Sequence, residues 1–272
     1  MRAPLAGRRV RTHMFYSTKP TEALDVGIKA NESGSFPVTR VSVVRSLAST
    51  DPQTRHRAYE TVAASYWKPL YKYIRIRWHA LPEDAKDLTQ DFFAQALEKG
   101  WLERFDPVRA RFRTFLRTCV DGSVANALKA AKRLKRGGAV RLVDIDVTEV
   151  EKEIDTNTLR ADIDMDEYFR REWVRALFEL AVARLRAELD AEGKPTHFRL
   201  FERYDLLAAQ PEERPTYAQL AREHELPETQ VTNFLSLARR RFRQHVLEVL
   251  AELTGSEEEF AAEARDLLGV KV

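Results

Sequence analysis

Helical periodicity is the feature that most constrains the fold of this 272-residue chain. From about residue 40 onward, apolar residues recur at the spacing of one helix face. No strand-like alternation extends over any length, and the short RLVDIDV segment is discounted as a strand. Ten glycines and eleven prolines are few for this length, which disfavours a turn-rich β fold. The sequence therefore predicts an all-α protein, in which Pro69 kinks or breaks a long early helix and Asp106-Pro107 begins another.

An acidic stretch divides the helical pattern into two blocks. Between Asp144 and Glu167 the only bases are Lys152 and Arg160, which is typical of a linker. We therefore predict two helical domains, a helical bundle followed by a helix-turn-helix domain, joined by an acidic linker. The predicted limits are 1–36 for a disordered arm, 37–138 for the first domain, 139–167 for the linker, 168–250 for the second domain and 251–272 for a C-terminal helical extension.

The composition excludes several classes of function. A single cysteine, Cys119, cannot form an internal disulfide and fits a reducing compartment, so we expect a cytoplasmic protein. No run approaches the length of a membrane span. The basic start of the chain lacks an apolar secretion segment, and a floppy tail or a true start at Met14 is favoured over a transit peptide. There is no phosphate-binding glycine loop, catalytic triad pattern or metal-ligand spacing, so we expect neither catalysis nor a cofactor or metal.

A helix-turn-helix is predicted in the second block, in TYAQLAREHELPETQVTNFLSLARRRFRQHVLEVL. Thr216 and Gln219 form a capping box at its first helix, and Pro227 suits the start of the second. That second helix buries Val231, Leu235, Ala238 and Phe242. Its outer face carries side chains able to contact bases or phosphates in the major groove. The candidate DNA-binding residues are Thr229, Gln230, Thr232, Asn233, Ser236, Arg239, Arg240 and Arg243.

The first block carries a basic stretch interleaved with aromatic residues. Cations neutralise phosphates and aromatic faces can stack on unpaired bases, although Phe115 at helical spacing is assigned to the core. The candidate nucleic-acid-binding residues are Arg109, Arg111, Arg113, Arg117, Lys129, Lys132, Arg133, Lys135 and Arg136.

An acceptor-rich helix precedes this basic stretch, in EDAKDLTQDFFAQAL at residues 83–97. We predict a core-facing stripe of Ala85, Leu88, Phe92 and Ala96. The remaining surface offers mostly acceptors and one exposed aromatic, which suits an arginine-rich partner. That surface carries Asp84, Asp87, Gln90, Asp91 and Phe93, and the family resemblance given next implies that these residues bind the partner.

These segments resemble bacterial sigma factors of the extracytoplasmic-function type, within the sigma-70 family. The resemblance covers about residues 36–250, and EDAKDLTQDFF is its most specific part. It implies that the acceptor-rich helix docks on a coiled coil of the polymerase β′ subunit. It also implies that 104–136 opens the minus-ten element, that the helix-turn-helix reads the minus-thirty-five element, and that the linker threads toward the RNA exit path. Further partners implied are the polymerase β flap and an anti-sigma factor.

Two other classes of function remain open at this point. The chain could be a helix-turn-helix regulator that binds duplex DNA without polymerase. It could also be a sigma-like decoy that holds polymerase without starting transcription. Phe115, where many relatives carry Trp, and Thr-Cys-Val-Asp at 118–121 depart from the family pattern and keep the decoy in play. Glu225 similarly replaces the glycine that is more usual in the turn of the helix-turn-helix.

Overall fold

The computed structural model of the protein describes residues 42–131, 146–154, 163–207 and 214–269. These residues form helices joined by turns and contain no strand, which confirms the predicted all-α fold. The predicted disordered arm and most of the predicted linker lie outside the described residues. None of the described helices combines the length and the apolar character that a membrane span requires.

The chain forms two compact units. The first unit contains the described residues up to Leu180 together with Glu248–Ala264, and the second is built mainly from Ala181–Leu247. Two long helices contribute to both units. The first unit thus includes residues from the predicted linker and from the predicted C-terminal extension.

The first unit begins with four helices in sequence. They are α1 (Val43–Ser46), α2 (Pro52–Arg77), α3 (Pro82–Glu98) and α4 (Phe112–Ala131). Asp51 caps α2 by accepting the N–H of Thr54, and Pro52 takes the first helical position, where its missing donor costs nothing. Helix α3 packs against both α2 and α4. The unit is completed by α5 (Thr148–Lys152), the first part of α6 (Met165–Ala191) and most of α10 (Glu257–Leu268).

Of the kink or break predicted at Pro69, the break is wrong, because α2 continues through this residue, and the kink stays a prediction. A proline in a helix interior costs about 3 kcal/mol. Here Pro69 is itself buried, and the neighbouring side chains of Tyr66, Leu70 and Tyr73 are fully buried as well. Packing of this face offsets the local cost, as tertiary contacts commonly do for helices.

The predicted helix start at Asp106-Pro107 is also wrong. The Asp106 side chain accepts the N–H of Val108 at 3.0 Å, and its carbonyl accepts the N–H of Arg109 at 3.1 Å. These bonds close a turn, as aspartate commonly does, and α4 begins only at Phe112. The loop between Asp106 and the start of α4 is open to solvent, and Val108 within it is 93% exposed.

The second unit contains the predicted helix-turn-helix. Its helices are the later part of α6, α7 (Pro195–Phe201) with a π-helical turn at Glu202–Leu206, α8 (Tyr217–Glu223) and most of α9 (Glu228–Leu253). The capping box at Thr216 and Gln219 is present, and all four side chains predicted to be buried in the second helix are buried. They are Val231, Leu235, Ala238 and Phe242.

Candidate functional site

Three carboxylates form an acidic face along α3. Asp84 and Asp87 are exposed and Asp91 is half-buried. Among the described residues, none of the three forms an ion pair. Burial, and then the nearby charge of Asp87, raise the pKa of Asp91. The helix therefore presents carboxylates whose negative charges repel one another and are not neutralised by a nearby base in the described part of the chain. A cationic partner would relieve this repulsion.

Two residues predicted to share this face do not reach the surface. Phe93 is 3% exposed and Gln90 is 4% exposed, so the prediction of an exposed aromatic is wrong. Because α3 packs against two helices, it buries two adjoining stripes rather than one. Phe93 lies edge-on to Phe92, with ring centroids 5.3 Å apart, and belongs to the core.

An apolar margin to the acidic face was missed in the sequence. Leu88, predicted to be buried, is half-exposed, and Leu81 at the start of α3 is 68% exposed. In the sequence, only the position of Leu81 directly before Pro82 could have indicated that this side chain is exposed. Leucines beside carboxylates give the combination of apolar anchor and charge that protein interfaces use.

The described basic residues of the candidate nucleic-acid-binding set fall into two groups. Arg109 lies in the open loop, its side chain 85% exposed and 3.3 Å from Asp106, and Lys129 is exposed near the end of α4. Lys132, Arg133, Lys135 and Arg136 lie outside the described residues. The structure thus leaves Arg109 and Lys129 accessible to a large ligand.

The other group, at the start and middle of α4, is paired with acids distant in the sequence. Arg113 lies 2.9 Å from Glu263 of α10, and its side chain is 12% exposed. Burial lowers the pKa of Arg113 and the charge of Glu263 opposes that effect. Arg111 shares Glu263 at 2.6 Å and stays 38% exposed. The prediction that Arg113 is a surface contact for DNA is therefore wrong, since it is a buried ion-pair partner.

Arg117 is also engaged within the first unit. It lies 2.8 Å from Asp166 of α6 and 3.8 Å from Asp121 of α4. Its guanidinium also contacts the ring of Tyr73, 6.0 Å from the centroid. Its side chain is 20% exposed, so it contributes less open positive charge than the sequence predicts.

Acidic residues of the predicted linker pair with bases of α2. Glu151 lies 2.6 Å from Arg75, and Glu153 lies 2.5 Å from Lys72. Lys72 also meets Glu172 of α6 at 2.7 Å, and both of these side chains are nearly fully buried. This part of the acidic segment is thus a packed element of the first unit.

The aromatic residues near α4 form one cluster. Phe105 packs edge-on against Phe112, with ring centroids 5.1 Å apart, and at a tilt against Phe115, with ring centroids 5.4 Å apart. Phe112 is fully buried, while Phe105 and Phe115 are half-buried. Phe115 thus has the core contacts that the sequence assigns to it, although part of its side chain remains accessible to solvent.

The outer face of α9 is open as predicted for most of its candidates. Thr229, Gln230, Thr232, Asn233, Ser236 and Arg240 are exposed, and Arg243 is half-buried. Neither Arg240 nor Arg243 forms an ion pair with another described residue. Such a polar, basic ridge at the second helix of a helix-turn-helix is the arrangement that enters a major groove.

Arg239 is the exception on this helix. Both carboxylate oxygens of Asp205 accept from its guanidinium, at 2.9 and 3.0 Å, and the two side chains are 16% and 8% exposed. Its guanidinium also stacks over Tyr204. Arg239 is therefore not the open surface cation that the sequence predicts, since it is largely buried and fastens α9 to the π-helical turn.

Comparison with protein families identifies one segment. Residues 64–134 match the family described as Sigma-70 region 2. The matched segment runs from α2 through α3 and α4, and so contains both the acidic face and the arginines of α4. Comparisons with curated proteins and with solved structures found no match.

The matched segment, residues 64–134, covers 71 of the 272 residues and indicates the class of protein that this part of the chain is similar to. Its presence supports a sigma-70-family subunit of RNA polymerase that acts in transcription initiation, through polymerase binding and promoter melting.

Proposed function

We propose that the protein is a sigma factor of the extracytoplasmic-function type, acting in the bacterial cytoplasm. In this proposal it binds core RNA polymerase, recognises the minus-ten and minus-thirty-five elements of a promoter and promotes strand opening. The observation that carries the proposal is the uncompensated acidic face of α3 inside the segment that matches Sigma-70 region 2.

The acidic face supports polymerase binding through its charge and its margin. Asp84, Asp87 and Asp91 offer carboxylate acceptors that the described residues do not use, and Leu81 adds an exposed apolar side chain beside them. Hydrogen bonds from arginine to carboxylate are among the strongest in protein interfaces. The surface therefore suits a basic helical partner such as the β′ coiled coil, which the family resemblance names.

Two separate surfaces support promoter binding. The ridge of α9 carries Gln230, Asn233 and Arg240 in exposed positions suited to a major groove. The loop before α4 carries Arg109, and α4 carries Lys129. Reading of the minus-thirty-five element is assigned to the first surface and engagement of the minus-ten element to the second.

The competing functions predict different behaviour toward polymerase. A regulator that works without polymerase would bind duplex DNA alone, with no use for the α3 face. A decoy would bind polymerase through that face but would start no transcripts. Because the acidic face has no role in the regulator, the sigma factor and the decoy are favoured over it.

The test is multi-round transcription with purified protein and bacterial core polymerase on sheared genomic DNA from the source organism. Starts are mapped by sequencing the transcripts. Discrete starts with shared upstream elements are expected, and they would also define the promoter. Stable polymerase binding without transcripts would favour the decoy, and absence of polymerase binding would contradict the proposal.

Charge reversal shows which surface is responsible. Asp87→Lys is expected to weaken polymerase binding, and Asp87→Lys with Asp91→Lys to abolish it. Glu60→Lys is the matched control, since Glu60 is an exposed helical acid of the same unit and the charge changes equally. An equal effect of the control would mean that net charge, not the α3 face, governs binding.

A further inference from the structure

Helix α10 is joined to the start of α4 by two buried carboxylates. Glu259 is 8% exposed and Glu263 is fully buried. They are four residues apart and therefore lie on one face of the helix. Buried carboxylates are costly unless they are paired, so their partners show what this face of α10 holds.

Glu259 holds the backbone at the first residue of α4. One of its oxygens accepts the N–H of Phe112 and the other accepts the N–H of Gly255, both at 2.8 Å. The first N–H groups of a helix have no partner within the helix, and an anion there is favoured by the helix dipole. Glu259 thus fixes where α4 begins.

Glu263 holds the two arginines on either side of Phe112. A single oxygen accepts from Arg111 at 2.6 Å and from Arg113 at 2.9 Å. Arg113 is further fixed by its position over the ring of Trp173, 5.4 Å from the centroid. Arg111 is held at one end while more than a third of its side chain stays exposed, so it can still meet a phosphate.

The turn before α10 is held from a second direction. Ser42 donates to the carbonyl of Thr254 at 2.5 Å, and Arg45 donates to the carbonyl of Gly255 at 3.0 Å. A methyl group on Gly255 would lie 2.2 Å from the ring of Phe105, so the two touch closely. Removing α10 would leave the N–H of Phe112 and the guanidinium of Arg113 without these partners. Helix α10 is therefore a fixed part of the first unit and not a segment that detaches readily.

We propose that Glu263, together with Glu259, is a positioning residue for promoter opening. It presents Arg111 and the loop before α4 to the minus-ten region in one fixed geometry. The C-terminal helix is then a working part of the promoter-melting unit. This inference rests on the proposed function, because the start of α4 has this role only if the protein opens promoters.

The test compares Glu263→Gln with Glu257→Gln in complex with core polymerase. Both variants remove one charge from α10, but Glu257 is exposed. Strand opening is followed with a fluorescent base analogue, on the promoter found for the wild-type protein and on the same promoter pre-melted at the minus-ten element. Polymerase affinity and thermal unfolding are measured in parallel.

Glu263→Gln is expected to slow opening of the duplex promoter about tenfold, the effect of one charged hydrogen bond. Pre-melted DNA should restore near wild-type activity, with polymerase affinity unchanged, and Glu257→Gln should match the wild type throughout. Equal losses on both templates with weaker polymerase binding would show a merely structural role and overturn the inference.

Two further outcomes are decisive. Faster opening by Glu263→Gln would show that Glu263 masks the arginines, and unchanged opening would show that it does not position them. Either result overturns the inference while the wild-type protein still opens its promoter. Failure of the wild-type protein to open any promoter would instead refute the proposed function, and the inference with it.

Discussion

Replacing Asp87 with asparagine should stabilise the free protein while weakening its binding to polymerase. Asp87 and Asp91 are four residues apart on α3, so their carboxylates are neighbours on the helix surface. Burial and the charge of Asp87 both raise the pKa of Asp91. In the free protein the carboxylates of Asp87 and Asp91 therefore repel each other. A surface shaped by solubility alone would not require this repulsion.

The two effects differ in size as well as in sign. Like charges at this spacing destabilise a helix by about 0.2–0.5 kcal/mol, and Asp87→Asn should recover an amount of that order. Loss of a charged hydrogen bond to polymerase should cost about 1.5–3 kcal/mol, or roughly 10- to 100-fold in affinity. The loss in affinity should therefore be much the easier effect to measure.

The stability gain should depend on pH in a defined direction. Burial, and then the charge of Asp87, raise the pKa of Asp91 in the folded protein above its ordinary value. Such a group favours the folded state fully below its unfolded pKa, and this contribution is lost as the pH rises through the folded pKa. The gain from Asp87→Asn should therefore appear above that range and vanish in more acidic solution, where the carboxyl of Asp91 is protonated in both proteins.

Thermal unfolding followed by circular dichroism at several pH values measures the stability, and fluorescence anisotropy with labelled core polymerase measures the affinity. Glu60→Gln serves as the control, because it removes an exposed helical acid that lies on α2 rather than on α3. Lower stability of Asp87→Asn would refute the argument from repulsion. Unchanged polymerase affinity would refute the assignment of this face.

Three further predictions concern stability and are measured by thermal or denaturant unfolding. Glu225→Gly should stabilise the turn of the helix-turn-helix by about 1 kcal/mol, since Glu225 has φ 54°; a loss would mean that the glutamate side chain outweighs the strain. Asp205→Ala should destabilise the protein by about 3 kcal/mol by leaving Arg239 buried without its partner, and adding Arg239→Met should recover much of the loss. Gly255→Ala should cost about 1–3 kcal/mol by forcing Phe105 aside, and a smaller cost would show that the ring moves freely.

Local signals in the sequence predicted much of the fold. The capping box at Thr216 and Gln219 and the buried positions Val231 and Leu235 follow from contacts within a few residues of one another. Such contacts depend on helix geometry alone, and one sequence is enough to recognise them. The same reasoning allowed a break at Pro69, where packing against other parts of the chain instead keeps the helix continuous.

The candidate surfaces were harder to predict, because exposure depends on what lies across from a residue. Phe93 was expected to be exposed from its place beside polar residues, yet α3 packs on two sides. Arg113 and Arg239 were expected to face nucleic acid, yet Glu263 and Asp205 approach them from distant parts of the chain. Periodicity indicates which residues share a helix face, but it does not indicate which neighbour covers that face.

The pairing of charges then separates structural from functional charge in this protein. Where a base lies in a packed part of the first unit, as Arg75, Lys72 and Arg113 do, an acid from a distant segment neutralises it. The acids of α3, and Arg240 and Arg243 of α9, have no such partner among the described residues. Acids from the linker and from the C-terminal helix thus neutralise bases at positions where an unpaired charge would lower stability. We therefore assign the unpaired acids of α3 to polymerase binding and the unpaired arginines of α9 to promoter DNA.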